Sequence, residues 1–243
     1  AAFIEQTDHH IGRVIDFLER LGELDNTIVM LASDNGASAE GGEHGSFNEN
    51  QFANRVEPTI EENLKHLDDW GGVKSFPNYS WGWAWAGNTP LRRWKRYTFE
   101  GGVRMPCLVR WPGGDVPAGS VNDEFLTSLE IFPSFAAACG ALMRDDIELD
   151  GFDWWPVIRG EQPSPREEMF WQRKDQIGAR VGQWKWVKMG AGVGGLFDLS
   201  RDTAESHDLS TERPDVLKMV ESRYADWLQE MNDSDARGPF RDF

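Results

Sequence analysis

Four cations, Arg92, Arg93, Lys95 and Arg96, fall within five residues of a chain whose formal net charge is -16. Positive charge concentrated against so acidic a background reads as a site for anions. Lys95 is the member best suited to chemistry. An ammonium is a compact point charge that fits a tetrahedral oxyanion and can stabilise charge developing on a leaving oxygen. Trp94 and Tyr97 interleave with the cations, which points to a partly sheltered surface. Upstream, Asp34 and Asn35 offer a carboxylate and an amide carbonyl, the oxygen ligands that hard divalent cations such as Ca²⁺ prefer. The amide adds no negative charge, so an anionic substrate is repelled less there. His44, in Gly41-Gly-Glu-His-Gly45, lies on a Gly-rich loop from which an imidazole could face a substrate. Each group also has a plainer reading. Residues 92–96 fit a solvated basic face, Asp34-Asn35-Gly36 fits ordinary turn chemistry, and a loop histidine is often simply solvated. His9, His10, His66 and His207 read as structural or exposed.

These residues must be positioned by local elements. Phe3, Ile4, Ile11, Val14, Ile15, Leu18 and Leu21 recur at spacings of three and four, the apolar face of an amphipathic helix. Gly22 is its expected C-cap. Thr27 to Ser33 is short, β-branched and apolar throughout, the pattern of a central parallel strand covered by helices on both sides. That strand delivers Asp34 and Asn35 at its carboxyl end, where ligands gather in open α/β sheets. Residues 34–56 read as loop, 58–70 as holding a short helix, and 71–90 as loop again. Trp81, Trp83 and Trp85 alternate within the last of these and read as core packing or as a pocket wall. Glu100 to Gly102 reads as a tight turn, and Met105 to Trp111 as a second buried strand. Ser128 to Cys139 reads as a helix that tolerates Pro133 in its first turn. Strands are expected at 168–172, 178–181, 184–188 and 196–199, forming a small antiparallel sheet. A closing helix is expected over 211–231.

A length of 243 residues is enough for a sizeable core, and 40% hydrophobic with 27% charged residues describes a globular composition. The acidic balance argues against nucleic acid and anionic membrane surfaces as partners. No apolar run approaches a membrane span. Cys107 and Cys139 lack metal or redox spacing and read as two buried thiols. The chain starts with Ala inside a helical pattern, so it is read as the carboxyl-terminal portion of something longer.

In order and spacing these pieces resemble the sulfatases, metal-dependent hydrolases of sulfate esters with an alkaline-phosphatase-like fold. The resemblance runs through Asp25-Asn-Thr27, Ser33-Asp-Asn-Gly36, Asn88-Thr-Pro-Leu-Arg92, Lys95, Glu100-Gly-Gly102 and Trp111-Pro-Gly113. It continues through Leu129-Glu-Ile-Phe-Pro133, Trp184-Lys-Trp186 and Leu196-Phe-Asp-Leu199, and so covers nearly the whole chain. Trp83-Ala-Trp-Ala-Gly-Asn-Thr-Pro90 is similar to the arylsulfatase branch. The resemblance implies an α/β fold in which residues 1–160 are the carboxyl-terminal part of a catalytic domain, a sheet covered by helices. Residues 161–243 would form a small α+β subdomain with an antiparallel sheet and a terminal helix. It implies Asp34 and Asn35 as ligands of a divalent metal, usually Ca²⁺. Lys95 becomes the group that contacts sulfate and helps the leaving oxygen, and His44 a substrate-binding residue. The family nucleophile, a formylglycine made in a Cys or Ser-x-Pro-Ser/Ala-x-Arg context, has no counterpart here. Pro163-Ser-Pro-Arg166 only echoes that motif. The nucleophile and the remaining metal ligands are expected upstream, and the isolated chain is expected to be inactive. A phosphoesterase or phosphonate hydrolase of the same superfamily, and a non-catalytic anion-binding module, are the alternatives to a small-molecule sulfate ester as ligand.

Overall fold

The three-and-four spacing of apolar residues at the start produces the helix it predicts, α1 (Ala2–Leu21). Gly22 then turns the chain at φ 73°, a left-handed conformation that side chains disfavour. The structure is a computed structural model that describes residues 2–142, 146 and 148–234. After α1 come β1 (Val29–Ala32), α2 (Asn50–Ala53), α3 (Ile60–Leu64), α4 (Trp81–Asn88), α5 (Glu100–Val103), β2 (Cys107–Arg110), α6 (Ile131–Ala138) and α7 (Trp155–Ile158). Four strands follow, β3 (Glu168–Arg173), β4 (Gln176–Val181), β5 (Trp184–Lys188) and β6 (Gly194–Asp198), and then α8 (Pro214–Asp233). Contacts group these into two units, Ala1–Ser33 with Pro106–Glu167 and Asp34–Met105 with Glu168–Phe243.

In the first unit, β1 pairs antiparallel with β2, Val29 opposite Arg110 and Ala32 opposite Cys107. This corrects the expectation of a covered parallel strand. Leu31 and Leu108 are 48% and 66% exposed. An apolar run records which faces a strand prefers to cover, but carries no information on the direction of its partner. Cys107 and Cys139 are also exposed rather than buried, because the β2 surface around the first is itself open. A Thr127–Glu130 capping box starts the Ser128–Glu130 turn that leads into α6. Ser134 then ties α6 to α7: its carbonyl accepts from Trp155 Nε1 at 2.7 Å, and its hydroxyl accepts from the Trp154 amide at 2.8 Å. The buried Glu130 carboxylate pairs with Arg166, so Pro163-Ser-Pro-Arg166 serves packing.

The second unit is built on β3–β4–β5–β6, an antiparallel meander. Alternation gives each strand two faces. On one, Trp186 joins Phe170, Ala179 and Leu196 beneath Val216, Val220 and Tyr224 of α8. Burying each large side chain contributes roughly 1.5–3 kcal/mol. On the other, Val187 packs with Phe197 and Phe99. Both faces of β5 are therefore covered, and Lys185, which alternation assigns to the Phe99 side, is fully buried.

Three local expectations change in this unit. Residues 50–53, read as loop, form α2. Residues 81–88 form α4, not loop. Tryptophans at 81, 83 and 85 imitate a period of two, but Trp81 and Trp85 also stand four apart, on one helical face. Both rings meet Trp94, at 6.3 and 6.2 Å between centroids. Trp81, Trp83 and Trp85 stay 49%, 71% and 51% exposed, so they are not core. Glu100 to Gly102 is the buried start of the helical turn α5 rather than a simple turn.

Candidate active site

Asp34 and Asn35 follow β1 by two and three residues; Asp34 is exposed and Asn35 half-buried. The backbone directly after them is fastened to the basic run and to α5. The Gly36 amide donates to the Gly102 carbonyl at 3.3 Å, and the Lys95 amide donates to the Ala37 carbonyl at 3.0 Å. A Cβ on Gly36 would collide with the Gly101 carbonyl, which is why this position takes no side chain. Asn88, at the end of α4, ties the three segments together. Its Oδ1 accepts from the Ala37 amide at 3.1 Å, and its Nδ2 donates to the carbonyls of Arg93 and Gly101 at 2.8 and 2.7 Å. The segment near 34–37 is thus brought to those near 88–95 and 100–102 although about fifty residues separate it from them in sequence.

The cations divide into distinct roles. Lys95 Nζ donates to Glu40 Oε2 at 3.0 Å, and Arg96 Nη2 donates to Glu40 Oε1 at 2.6 Å. Burial raises the Glu40 carboxyl, but the hydrogen bonds from Lys95 and Ser38 and the charges of Lys95 and Arg96 outweigh it and hold it below the usual carboxylate range. Two cations on one carboxylate leave this trio net positive, and the Lys95 side chain is 34% exposed, within reach of an incoming anion. Arg92 turns inward, its Nη1 donating to the Glu205 carbonyl at 2.7 Å while its guanidinium lies over the Phe99 ring. The basic run is therefore partly structural, partly available.

His44 is exposed; its end of the loop is tied to α3, while the start of the loop, after Glu40, is bonded to Tyr79 and Trp81. Asn63 Nδ2 donates to the carbonyls of His44 and Gly45 at 3.3 and 3.0 Å. His9, His10, His66 and His207 are exposed as well.

As metal donors, Asp34 and Asn35 have the right chemistry, since carboxylate and amide carbonyl suit a hard cation. They would fill two of the roughly six to eight positions that Ca²⁺ takes. Glu40 cannot be counted, because Lys95 and Arg96 occupy it. Among the described residues no group of three or more His, Cys, Asp or Glu side chains is arranged to hold a metal. The fit is that of a partial ligand set.

Sequence alone did not single out Glu40 or Glu205, and Asn88, Glu100 and Lys185 stood only within motifs, with no role assigned to them. One signal was present: Lys185 stands between two tryptophans in an apolar strand, an unusual place for an ammonium. Glu40 and Glu205 gave no such signal, because acidic residues are abundant throughout the chain.

Comparison with known proteins adds a second line. The Sulfatase family profile matches residues 1–141. An uncharacterized sulfatase of Schizosaccharomyces pombe is 33% identical over 230 residues, covering 89% of this chain and 40% of that protein. Arylsulfatase A of Homo sapiens is 43% identical over 162 residues, covering 54% of this chain and 31% of its own length. The crystal structure of Ps i-CgsB in complex with k-i-k-neocarrahexaose superposes with a TM-score of 0.64 at 24% identity, over 90% of this chain and 40% of that one. The chain thus spans well under half the length of the relatives it matches. Its α/β architecture with a carboxyl-terminal four-stranded antiparallel sheet and terminal helix is the alkaline-phosphatase-like fold. Among the described residues, no helix is long and apolar enough to cross a membrane.

Proposed function

This chain belongs to the sulfatase family, and on that premise we propose that it supplies part of the active site of an arylsulfatase-like hydrolase of small sulfate esters. Residues 1–160 would contribute to the catalytic domain and 161–243 would form the smaller subdomain. Asp34 and Asn35 would hold a hard divalent metal, Ca²⁺ being the ion the family resemblance implies. When bound, such an ion acts as a Lewis acid on sulfate oxygens. Lys95 would hydrogen-bond a sulfate oxygen and neutralise the charge on the alcohol oxygen as its bond to sulfur breaks. Glu40 would hold that ammonium in place until the anion arrives. His44 would contact the substrate from the 41–45 loop. The nucleophile, a formylglycine in this family, would lie outside these 243 residues, none of which stands in the required motif.

The observation that carries the reading is the fastening of Lys95 to Ala37, two residues beyond Asn35, by a backbone hydrogen bond at 3.0 Å. It ties the backbone of the candidate anion group to the segment that follows the candidate metal pair, which supports the reading, and both lie inside the family match. The test is hydrolysis of p-nitrophenyl sulfate against p-nitrophenyl phosphate by the full-length protein, with and without a chelator. Sulfate should be preferred, and chelation should abolish turnover. Lys95→Ala should lower kcat by about 10²–10³. Its stability should change by less than about 1 kcal/mol, because the Glu40 pair is partly solvated. A preference for phosphate, or an unaffected Lys95→Ala enzyme, would refute the assignment.

A further inference from the structure

Lys185 on β5 is fully buried, and its Nζ donates to Glu100 Oε1 at 2.8 Å while lying 4.3 Å from the centre of the Trp171 ring. Glu205, also fully buried, accepts the Glu100 amide through Oε2 at 2.7 Å, and its Oε1 has no hydrogen-bond partner. Two carboxylates around one ammonium form a poor source of stability, since apolar groups of equal volume hold a core as well or better. What the triad holds is more telling. Glu100 is followed by Gly101 and Gly102, the residues against which Gly36 and Asn88 are fastened. The Glu205 carbonyl accepts from Arg92, and the Arg92 carbonyl in turn accepts the Gly101 amide at 2.9 Å. Both limbs of the proposed site, the pair at 34–35 and the ammonium at 95, are therefore connected within a few hydrogen bonds to one buried charge cluster. The cluster is rooted in a rigid strand.

We propose that Glu100, Lys185 and Glu205 are positioning residues, a buried ionic anchor on the carboxyl-terminal sheet that sets the placement of segments 34–37 and 92–102. The proposal takes its chemistry from the sulfatase reading but its mechanics from the contacts alone. Burial pushes the Glu205 carboxyl up to about 7, against the pull of Lys185, the Glu100 amide and Arg92 and with the push of the Glu100 carboxylate. Burial raises Glu100 too, but Lys185, with Arg180 and Arg104, holds it below its ordinary value. Glu100 thus keeps the ammonium and Glu205 carries the proton in the acid range, so the anchor changes charge near neutrality.

The test uses the full-length protein and three variants: Lys185→Met, the neutralised pair Glu100→Gln with Lys185→Met, and Glu205→Gln. Hydrogen–deuterium exchange is read on peptides covering 34–40 and 92–104, with α8 as the internal reference. In Lys185→Met both segments should exchange at least about ten-fold faster while α8 keeps its protection. Glu205→Gln, whose amide oxygen can still accept the Glu100 amide, should keep protection yet lose the inflection near pH 7 in the kcat profile for p-nitrophenyl sulfate. If Lys185→Met fails to fold, the neutralised pair is read by the same criterion. Wild-type exchange in both segments of folded Lys185→Met, or of the folded neutralised pair, would overturn the proposal. So would α8 and the two segments losing protection together in every variant, which is the signature of a purely structural core. A full-length protein without sulfatase activity would end the sulfatase reading and leave the exchange result to decide the positioning.

Discussion

Replacing Asn88 by Ala removes three hydrogen bonds in one step. The Ala37 amide loses its acceptor, and the carbonyls of Arg93 and Gly101 lose a donor. A neutral hydrogen bond contributes about 0.5–1.5 kcal/mol net, and an abandoned buried partner costs about 1–3 kcal/mol. The three bonds are part-buried, so water can reach some of the released groups and the loss belongs toward the lower end. We expect a total of about 2–4 kcal/mol. Asn88→Asp is the sharper variant. It preserves the acceptor for Ala37 but points a carboxylate oxygen at two carbonyls, replacing attraction by repulsion. It should therefore destabilise at least as much as Asn88→Ala despite its closer shape. Urea denaturation followed by fluorescence is suitable, because Trp85 and Trp94 pack in the same region. A lower midpoint at unchanged slope is the expected signature. In the full-length protein kcat for p-nitrophenyl sulfate should fall in step, since segment 34–37 loses its fastening to Asn88 while keeping those to Gly102 and Lys95. An Asn88→Ala loss within about 0.5 kcal/mol, the level of an ordinary surface change, would refute the reasoning. So would an aspartate variant more stable than the alanine one.

Two further outcomes follow from the buried charges. Below the ordinary carboxyl value of 4.5 both folded and unfolded states hold the Glu205 proton, but between 4.5 and about 7 only the folded state does. Stability should thus decline as pH rises through that window, by roughly 3 kcal/mol in all if this group acts alone. Glu205→Gln should flatten the decline in denaturation measured from pH 5 to 8, and an unchanged slope would count against it. In the first unit, Arg166→Ala leaves the fully buried Glu130 carboxylate without its counter-charge, only Oε2 keeping its Thr127 partners. It should cost about 3–5 kcal/mol, whereas Met at both positions should cost less. Thermal melts of the two variants decide this, with equal losses excluding the pair as the cause.

The local periodicities of this sequence determined much of the fold. Spacings of three and four wrote α1 and α8, and alternating runs with glycine turns wrote the β3–β6 meander, because helix and strand periods are properties of neighbouring residues. Order and motif spacing were enough to pick out the family, and they nominated Asp34, Asn35 and Lys95 as its site candidates. What tertiary structure decided was partnership. Glu40 meets Lys95 across 55 residues, and Glu100 meets Lys185 across 85. The antiparallel pairing of β1 with β2 spans a similar distance. No local pattern encodes which of many acidic residues will share a buried ammonium, or which way a partner strand will run. Those choices are made when desolvation and packing act on the whole chain at once. The same step resolved a cluster read as an anion site, with a solvated basic face as the plainer alternative, into one arginine locked on a backbone carbonyl and one lysine clamped by a carboxylate.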